Sequence, residues 1–418
     1  MSEIRKFRGK NEYAKPLKRE EDRAQADDGT KSRRKERKND LFTKIWRHRL
    51  TVFYRVLLVL IMIAAIITIC VIRFNNKVYT GYTVSSEESW TDNSSLDVLE
   101  YNGNILTYSK DGAVCTDMRG KTLWNQSYEM QNPLVTTCGD YAVIGDYNGT
   151  SVFVMNSSGQ QGAIDTRMPI RAIDVSAKGT VLVVLDDAPN TWLYLYSKEG
   201  TLLWNCKSTM DINGYPLKAS VSDNSMMVGV SYLYVDNGIV TSKVAFYNLD
   251  EVGDNYQDTL VSVFNYNNAI VPVLQFMNEE DSFAVADNRL MLYSGRQIPT
   301  STKEIILSEE VRAVFYSSHY VGLVFLNIEG DTKYRLDVYH TSGNLVHSYE
   351  FDQEYKEILF HNDFVYIYNE SECLIYQVKG KLKFEGQFDI PVQLLIPTTA
   401  KDKLVLVSRN RIQNIKLN

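Results

Sequence analysis

The stretch LYLYSKEGTLLW, Leu193 to Trp204, decides the fold. An apolar run, a short polar turn ending in glycine and a second apolar run follow one another without interruption. Apolar alternation on each side of such a turn reads as a β-hairpin. Gly200 supplies the positive φ that a tight turn needs. The same phrase recurs as CTDMRGKTLW at Gly120, VFVMNSSGQQ at Gly159, LMLYSGRQ at Gly295, LDVYHTSGNLV at Gly343 and LIYQVKGKLKF at Gly380. Successive glycines are 39, 41, 95, 48 and 37 residues apart. The gap of 95 is two periods, and VAFYNLDEVG, Val244 to Gly253, fills it with a looser copy.

Working outward, further strands are expected at TVLVVL (Thr180 to Leu185), YVGLVFL (Tyr320 to Leu326), DFVYIYN (Asp363 to Asn369) and KLVLVS (Lys403 to Ser408). No capped helical pattern follows residue 75. Eight units begin near Leu96, Pro133, Ile170, Pro216, Ile270, Val311, Tyr355 and Pro391. Each holds roughly 43 residues, the size of a four-stranded, WD40-like propeller blade. The last unit has room for three strands. A strand from KVYTGYTVSS, Lys77 to Ser86, is expected to complete it, removing an exposed edge and closing the ring. The expected fold is therefore an all-β, eight-bladed β-propeller, with seven blades or a β-sandwich array as alternatives. Closure makes residues 74–418 one domain, where a length of 418 alone suggests two or three.

Before the repeats lies VLLVLIMIAAIITICVI, Val56 to Ile72, without charge, Pro or Gly. With Leu50 to Tyr54 it makes a helix of ~35 Å, enough for a ~30 Å hydrocarbon core, while Arg55 snorkels. A cleaved signal peptide fits poorly, because 49 residues precede the apolar run and no Ala-x-Ala site follows it. Residues 50–73 are thus read as a transmembrane signal anchor. The basic runs KSRRKERK and KIWRHR stand before it, which places the N-terminus in the cytosol and the propeller outside the cell membrane.

The net charge of −6 divides along this boundary. Residues 1–49 carry a net +8 and residues 73–418 a net −15. The tail, 1–49, is rich in charged and amide side chains, buries too little apolar surface to offset its chain entropy and is expected to be disordered. Lys31, Arg33, Arg34, Lys35, Arg37 and Lys38 serve as its topology signal, with anionic lipid as a contact. The acidity of the outer part argues against nucleic acid or anionic polymers as its partners, unless a local basic patch survives it.

Two of the repeats, DMRGKTLWN (Asp117 to Asn125) and SKEGTLLWN (Ser197 to Asn205), resemble those of the PQQ-like β-propeller superfamily. There a Gly turn is followed by an aliphatic pair and Trp, the position held here by Trp124 and Trp204. The other copies depart from it, with Ala163, Val346 or Phe384 near that place. The layout of basic tail, single anchor and propeller also resembles uncharacterised membrane-anchored propeller proteins of Gram-positive bacteria. The resemblance implies that Trp124 and Trp204 pack neighbouring blades together. PQQ-dependent dehydrogenases of that superfamily carry an adjacent Cys-Cys pair, a stacking Trp on the axis and Ca²⁺ ligands, and this chain has no adjacent cysteines.

No catalytic constellation emerges from the residues themselves. His319, His340, His347 and His361 lack metal-site spacing. No Gly-x-Ser-x-Gly elbow or phosphate loop occurs. Asp250, Glu251, Asp254 and Asp258 could hold Ca²⁺ but read as a solvated insertion. Cys115, Cys138, Cys206 and Cys373 could pair in three ways, and are expected as buried free thiols, while Cys70 lies in the span. Asn93, Asn125, Asn148, Asn156 and Asn369 open glycosylation sequons. The reading is a non-enzymatic, cofactor-free and metal-free scaffold, held in the cell membrane, that docks a protein or cell-envelope polymer. The alternatives are a receptor or sensor for a small molecule or glycan in the funnel, and a PQQ-dependent dehydrogenase.

Overall fold

A computed structural model describes residues 17–89, 96–236, 238–328 and 330–418. The chain forms two compact units, residues 1–77 and 78–418. In the first, one helix, α1, runs without a break from Leu17 to Asn75. Its segment from Asn39 to Arg73 is long and apolar enough to cross a membrane, and none of it is buried by protein. The helix thus begins ahead of the apolar span and includes residues 17–49. Composition argued only that the segment could not build a core, and its side chains from Asn39 to Arg49 are indeed exposed. Lys, Arg, Glu and Ala are nevertheless good helix formers, and they extend a helix that the apolar span has already nucleated. Lys31, Arg33, Arg34, Lys35, Arg37 and Lys38 lie on this helix. Their side chains, like residues 1–16 and the sequon at Asn93, lie outside the described residues.

The second unit is an eight-bladed β-propeller of eight four-stranded antiparallel sheets. The innermost strands begin at Asp97, Pro133, Ile170, Tyr215, Val273, Ala313, Glu357 and Leu394. Each lies within three residues of the unit starts read from the repeats. Blade 8 takes three strands from the C-terminus and its fourth from the N-terminal side, β1 (Tyr82–Ser89), which pairs antiparallel with Arg411–Leu417. Glu87 locks this seam by accepting from Gln413 Nε2 at 2.6 Å and Arg411 Nη1 at 3.3 Å. The closing strand shares Tyr82 to Ser86 with the stretch expected to supply it and runs three residues past its end. Residues 78–80 run instead beside blade 7, where Tyr79 N donates to Lys383 O at 2.8 Å.

Two faces follow from the strand directions. Innermost strands run from a connector face, which carries the blade-to-blade links, to a turn face, which carries the glycine hairpins. Gly120, Gly159, Gly200, Gly295, Gly343 and Gly380 all sit on the turn face with positive φ. At Gly380 a Cβ would also meet the His347 ring at 2.3 Å. Gly253 of the looser copy has no positive φ; there a Cβ would collide with Asn248 O, so space rather than φ requires glycine.

Apolar side chains on alternate strand positions interlock between neighbouring blades. At the junction of blades 4 and 5, Phe246 packs on Phe276 and Tyr293, with ring centroids 5.9 and 5.2 Å apart. Buried phenols pair with one another, as in Tyr232–Tyr247 at 2.8 Å and Tyr266–Tyr293 at 2.7 Å. Pairing satisfies hydroxyls that would be costly to bury alone. Trp124 is buried between blades 1 and 2, edge-on to Tyr101 at 6.5 Å. Trp204 lies against Tyr247 of the next blade at 5.3 Å and donates from Nε1 to Thr259 at 3.2 Å.

Candidate functional site

Blade 4 departs from its neighbours. Its second and third strands, Met227–Asp236 and Ile239–Asn248, are ten residues each. The innermost strand starts opposite Leu233 and the outermost ends opposite Thr241. Val235 and Val240, which pair with each other, and Ile239 therefore stand beyond the sheet on the connector face. All three are exposed. The loop before blade 4 flanks this ribbon, brought in by Gly214, whose position leaves no room for a Cβ against Leu233 O. It presents Met210 and Ile212, the latter 78% exposed. On the other side, Val271 is tied to the ribbon by Ser231 Oγ, which donates to its carbonyl at 2.6 Å, and Ser242 Oγ, which accepts from its N–H at 3.1 Å. Ile270 beside it is exposed as well. Six apolar side chains from three segments are thus exposed on the connector face around blade 4.

Ile270 also rims a cavity of about 680 Å³ between the innermost strands of blades 4, 5 and 6. Its walls are largely aliphatic, with Lys218, Asp287, Glu310 and Arg312 as charged members. Glu310 and Arg312 pair at 3.3 Å. A second cavity of about 780 Å³ lies between blades 7, 8, 1 and 2, lined by Leu359, Phe360, Leu395 and Val135 among others. His361 reaches into it with an Nε2 that is buried and has no partner among the described residues. His319 and His340 bond instead to serine hydroxyls beside them, and His347 packs on Tyr349.

Blades 2, 3 and 4 bring their innermost strands together in a polar cluster. Cys138 Sγ donates to Asp223 Oδ1 at 3.4 Å, and Val221 N donates to Asp174 Oδ2 at 2.9 Å. Burial raises the pKa of Asp174, while Lys218 opposes it. Burial first, then the Asp223 carboxylate, pushes the Cys138 thiol up to about 12. Alkylation of Cys138 at pH 8 should therefore be on the order of a thousandfold slower than that of an ordinary thiol, since only thiolate reacts. Asp223→Asn should speed it by removing the facing charge; peptide-level mass spectrometry after iodoacetamide reads both rates. An ordinary rate in the native chain would contradict this account.

The four outer thiols are free: Cys115 and Cys373 are buried, and Cys138 and Cys206 only partly so. Asp250, Glu251, Asp254 and Asp258 fall on a turn-face insertion with two short 3₁₀ turns, Gly253–Asn255 and Gln257–Thr259. Among the described residues no group of three His, Cys, Asp or Glu side chains could hold a metal ion. Sequence reasoning missed the apolar edge of blade 4. Its one signal is the length of that unit, 54 residues from Pro216 to Ile270 against roughly 43 for a blade.

The propeller aligns with Sqt1 of Chaetomium thermophilum over 80% of this chain and 98% of that one, at 10% identity and a TM-score of 0.51. BamB from Moraxella catarrhalis aligns over 81% and 100%, at 10% identity and a TM-score of 0.47. The WD40 domain of Neurospora crassa Pan2 aligns over 82% and 98%, at 8% identity and 0.45. Likeness at such identities concerns the fold alone. No curated protein matches the sequence. Residues 75–417 match one family, described as a family of unknown function, DUF5711.

Proposed function

We propose that this chain, which belongs to the DUF5711 family, is a membrane-anchored, non-enzymatic scaffold that docks another protein on its connector face. One observation carries the proposal: the exposed aliphatic edge built by Met210, Ile212, Val235, Ile239, Val240 and Ile270 beside an open cavity. Contiguous exposed apolar surface on a soluble domain marks interaction sites. It lies on the face opposite the one where residues 78–80 enter the propeller. In this reading α1 spans the cell membrane, its basic flank holds the N-terminus in the cytosol, and the propeller stands outside. The two Gly-turn repeats ending in Trp124 and Trp204 support kinship with PQQ-like propellers, and the layout supports a place among Gram-positive envelope proteins.

The test is crosslinking of the full chain in its native membrane. The native protein should yield a defined crosslinked partner, and Ile212→Asp combined with Ile239→Asp should abolish it. Both residues are exposed, so the melting temperature should stay unchanged. Equal crosslinking by the double variant would reject the connector face as the docking surface.

A further inference from the structure

The propeller is acidic as a whole, yet the arc of its turn face where the chain enters is basic. Blade 7 contributes Lys379, Lys381 and Lys383 around its glycine turn, and blade 8 contributes Lys401, Lys403 and Lys416. Carboxylates share these segments: Asp402 stands between Lys401 and Lys403, Glu385 two residues after Lys383, and Asp363 in the turn whose carbonyl accepts from Val378 N. The lysines are close enough to repel. Lys383 is buried, and its pKa is lowered by that burial and by Lys381 and Lys401. Lys403 and Lys416 stand directly opposite each other in neighbouring strands. Like charges in that position are destabilising. Lys416 is relieved by Asp402 at 3.8 Å, whereas Lys379, Lys401 and Lys403 are exposed. Elsewhere on the same face, the insertion of blade 4 carries Asp250, Glu251, Asp254 and Asp258, so the turn face is polarised.

The basic arc adjoins the incoming chain. Tyr79 bridges to Phe384, one residue from Lys383. Only residues 76–81 separate the end of α1 from β1, a contour length of at most ~25 Å. We propose that this lysine arc is a docking surface for the anionic headgroups of the membrane that α1 spans, and that it holds the propeller in one orientation on that membrane. The proposal rests on the membrane-spanning reading of α1. Two features favour lipid over a soluble polyanion. The arc lies on the two blades that the chain joins after leaving α1, and its lysines are spread over both rather than converging on a pocket. Clustered lysines beside a membrane anchor are attracted to anionic lipid within a Debye length of the surface.

The full chain is reconstituted in phosphatidylcholine vesicles and in vesicles that also contain phosphatidylglycerol. Flotation with the neutral vesicles tests the anchor separately, and its failure would overturn the membrane-spanning reading itself. Hydrogen exchange is then read at residues 378–382 and 399–403. Exchange there should slow severalfold in the phosphatidylglycerol vesicles, and recover in high salt and in the variant carrying Lys379→Glu, Lys401→Glu and Lys403→Glu. These three side chains are exposed, and unchanged exchange at residues 227–248 will show that the variant is folded. Equal exchange in both vesicles, or protection that survives the triple substitution, would overturn the proposal. Equal protection by soluble glycerol phosphate would also overturn it, by assigning the arc to free phosphate.

Discussion

A chain that begins at residue 90 is expected to lose the stable propeller that a chain beginning at Val78 retains. The difference between them is β1 and the short segment before it. Seven residues of β1 pair with the last strand of the protein. A net worth of ~0.5–1.5 kcal/mol for each backbone hydrogen bond makes the seam comparable with the whole stability of a folded domain, about 5–15 kcal/mol. The Glu87 contacts to Arg411 and Gln413 and the Tyr82 packing on Phe388 would be lost as well. The last strand would become an open edge, which invites aggregation. Gel filtration and thermal melting of the two chains are the measurements. A cooperative, monomeric 90–418 melting at the same temperature would show that closure contributes little.

Phe246→Ala should be the most damaging single substitution at a blade junction, with a loss of ~3–5 kcal/mol. Phe246 is fully buried and touches rings from three strands: Phe264 at 6.3 Å, Phe276 at 5.9 Å and Tyr293 at 5.2 Å. Gly229 lies opposite, where a Cβ would sit 3.2 Å from the same ring, so the site is already filled and cannot collapse around a smaller side chain. Phe246→Leu should cost distinctly less, since it keeps most of the volume. Denaturant midpoints of the two variants give the comparison, and equal midpoints would mean that the blade 4–5 junction repacks freely.

The repeat units were legible because a hairpin is a local object. A Gly turn with apolar runs on both sides needs no distant partner to be recognised, and the unit starts read around such turns lie within three residues of the innermost strands. That α1 reaches back to Leu17 was not legible from burial alone, because helix propensity and continuity with the apolar span decide it. The aliphatic edge of blade 4 was illegible for another reason. Met210, Val235, Ile239 and Ile270 are ordinary strand or loop residues in sequence. They become a patch only when the ribbon outgrows its neighbours. Likewise KGKLKF in blade 7 and AKDK in blade 8 are unremarkable alone, and meet only because consecutive blades pack side by side.

While the structure decided eight blades over seven, short-range pattern by itself determined the all-β repeat architecture, the need for a borrowed closing strand and an apolar segment long enough to span a membrane. These depend on period, turn chemistry and hydrophobic length, which act within a few residues of each other. Tertiary structure decided which residues close the ring, which face carries exposed aliphatic side chains and where the lysines gather within an acidic domain. Those depend on which side of each strand meets a neighbouring blade, and on where segments far apart in the chain stop pairing. Such properties arise from packing between elements, and no single stretch of sequence contains them.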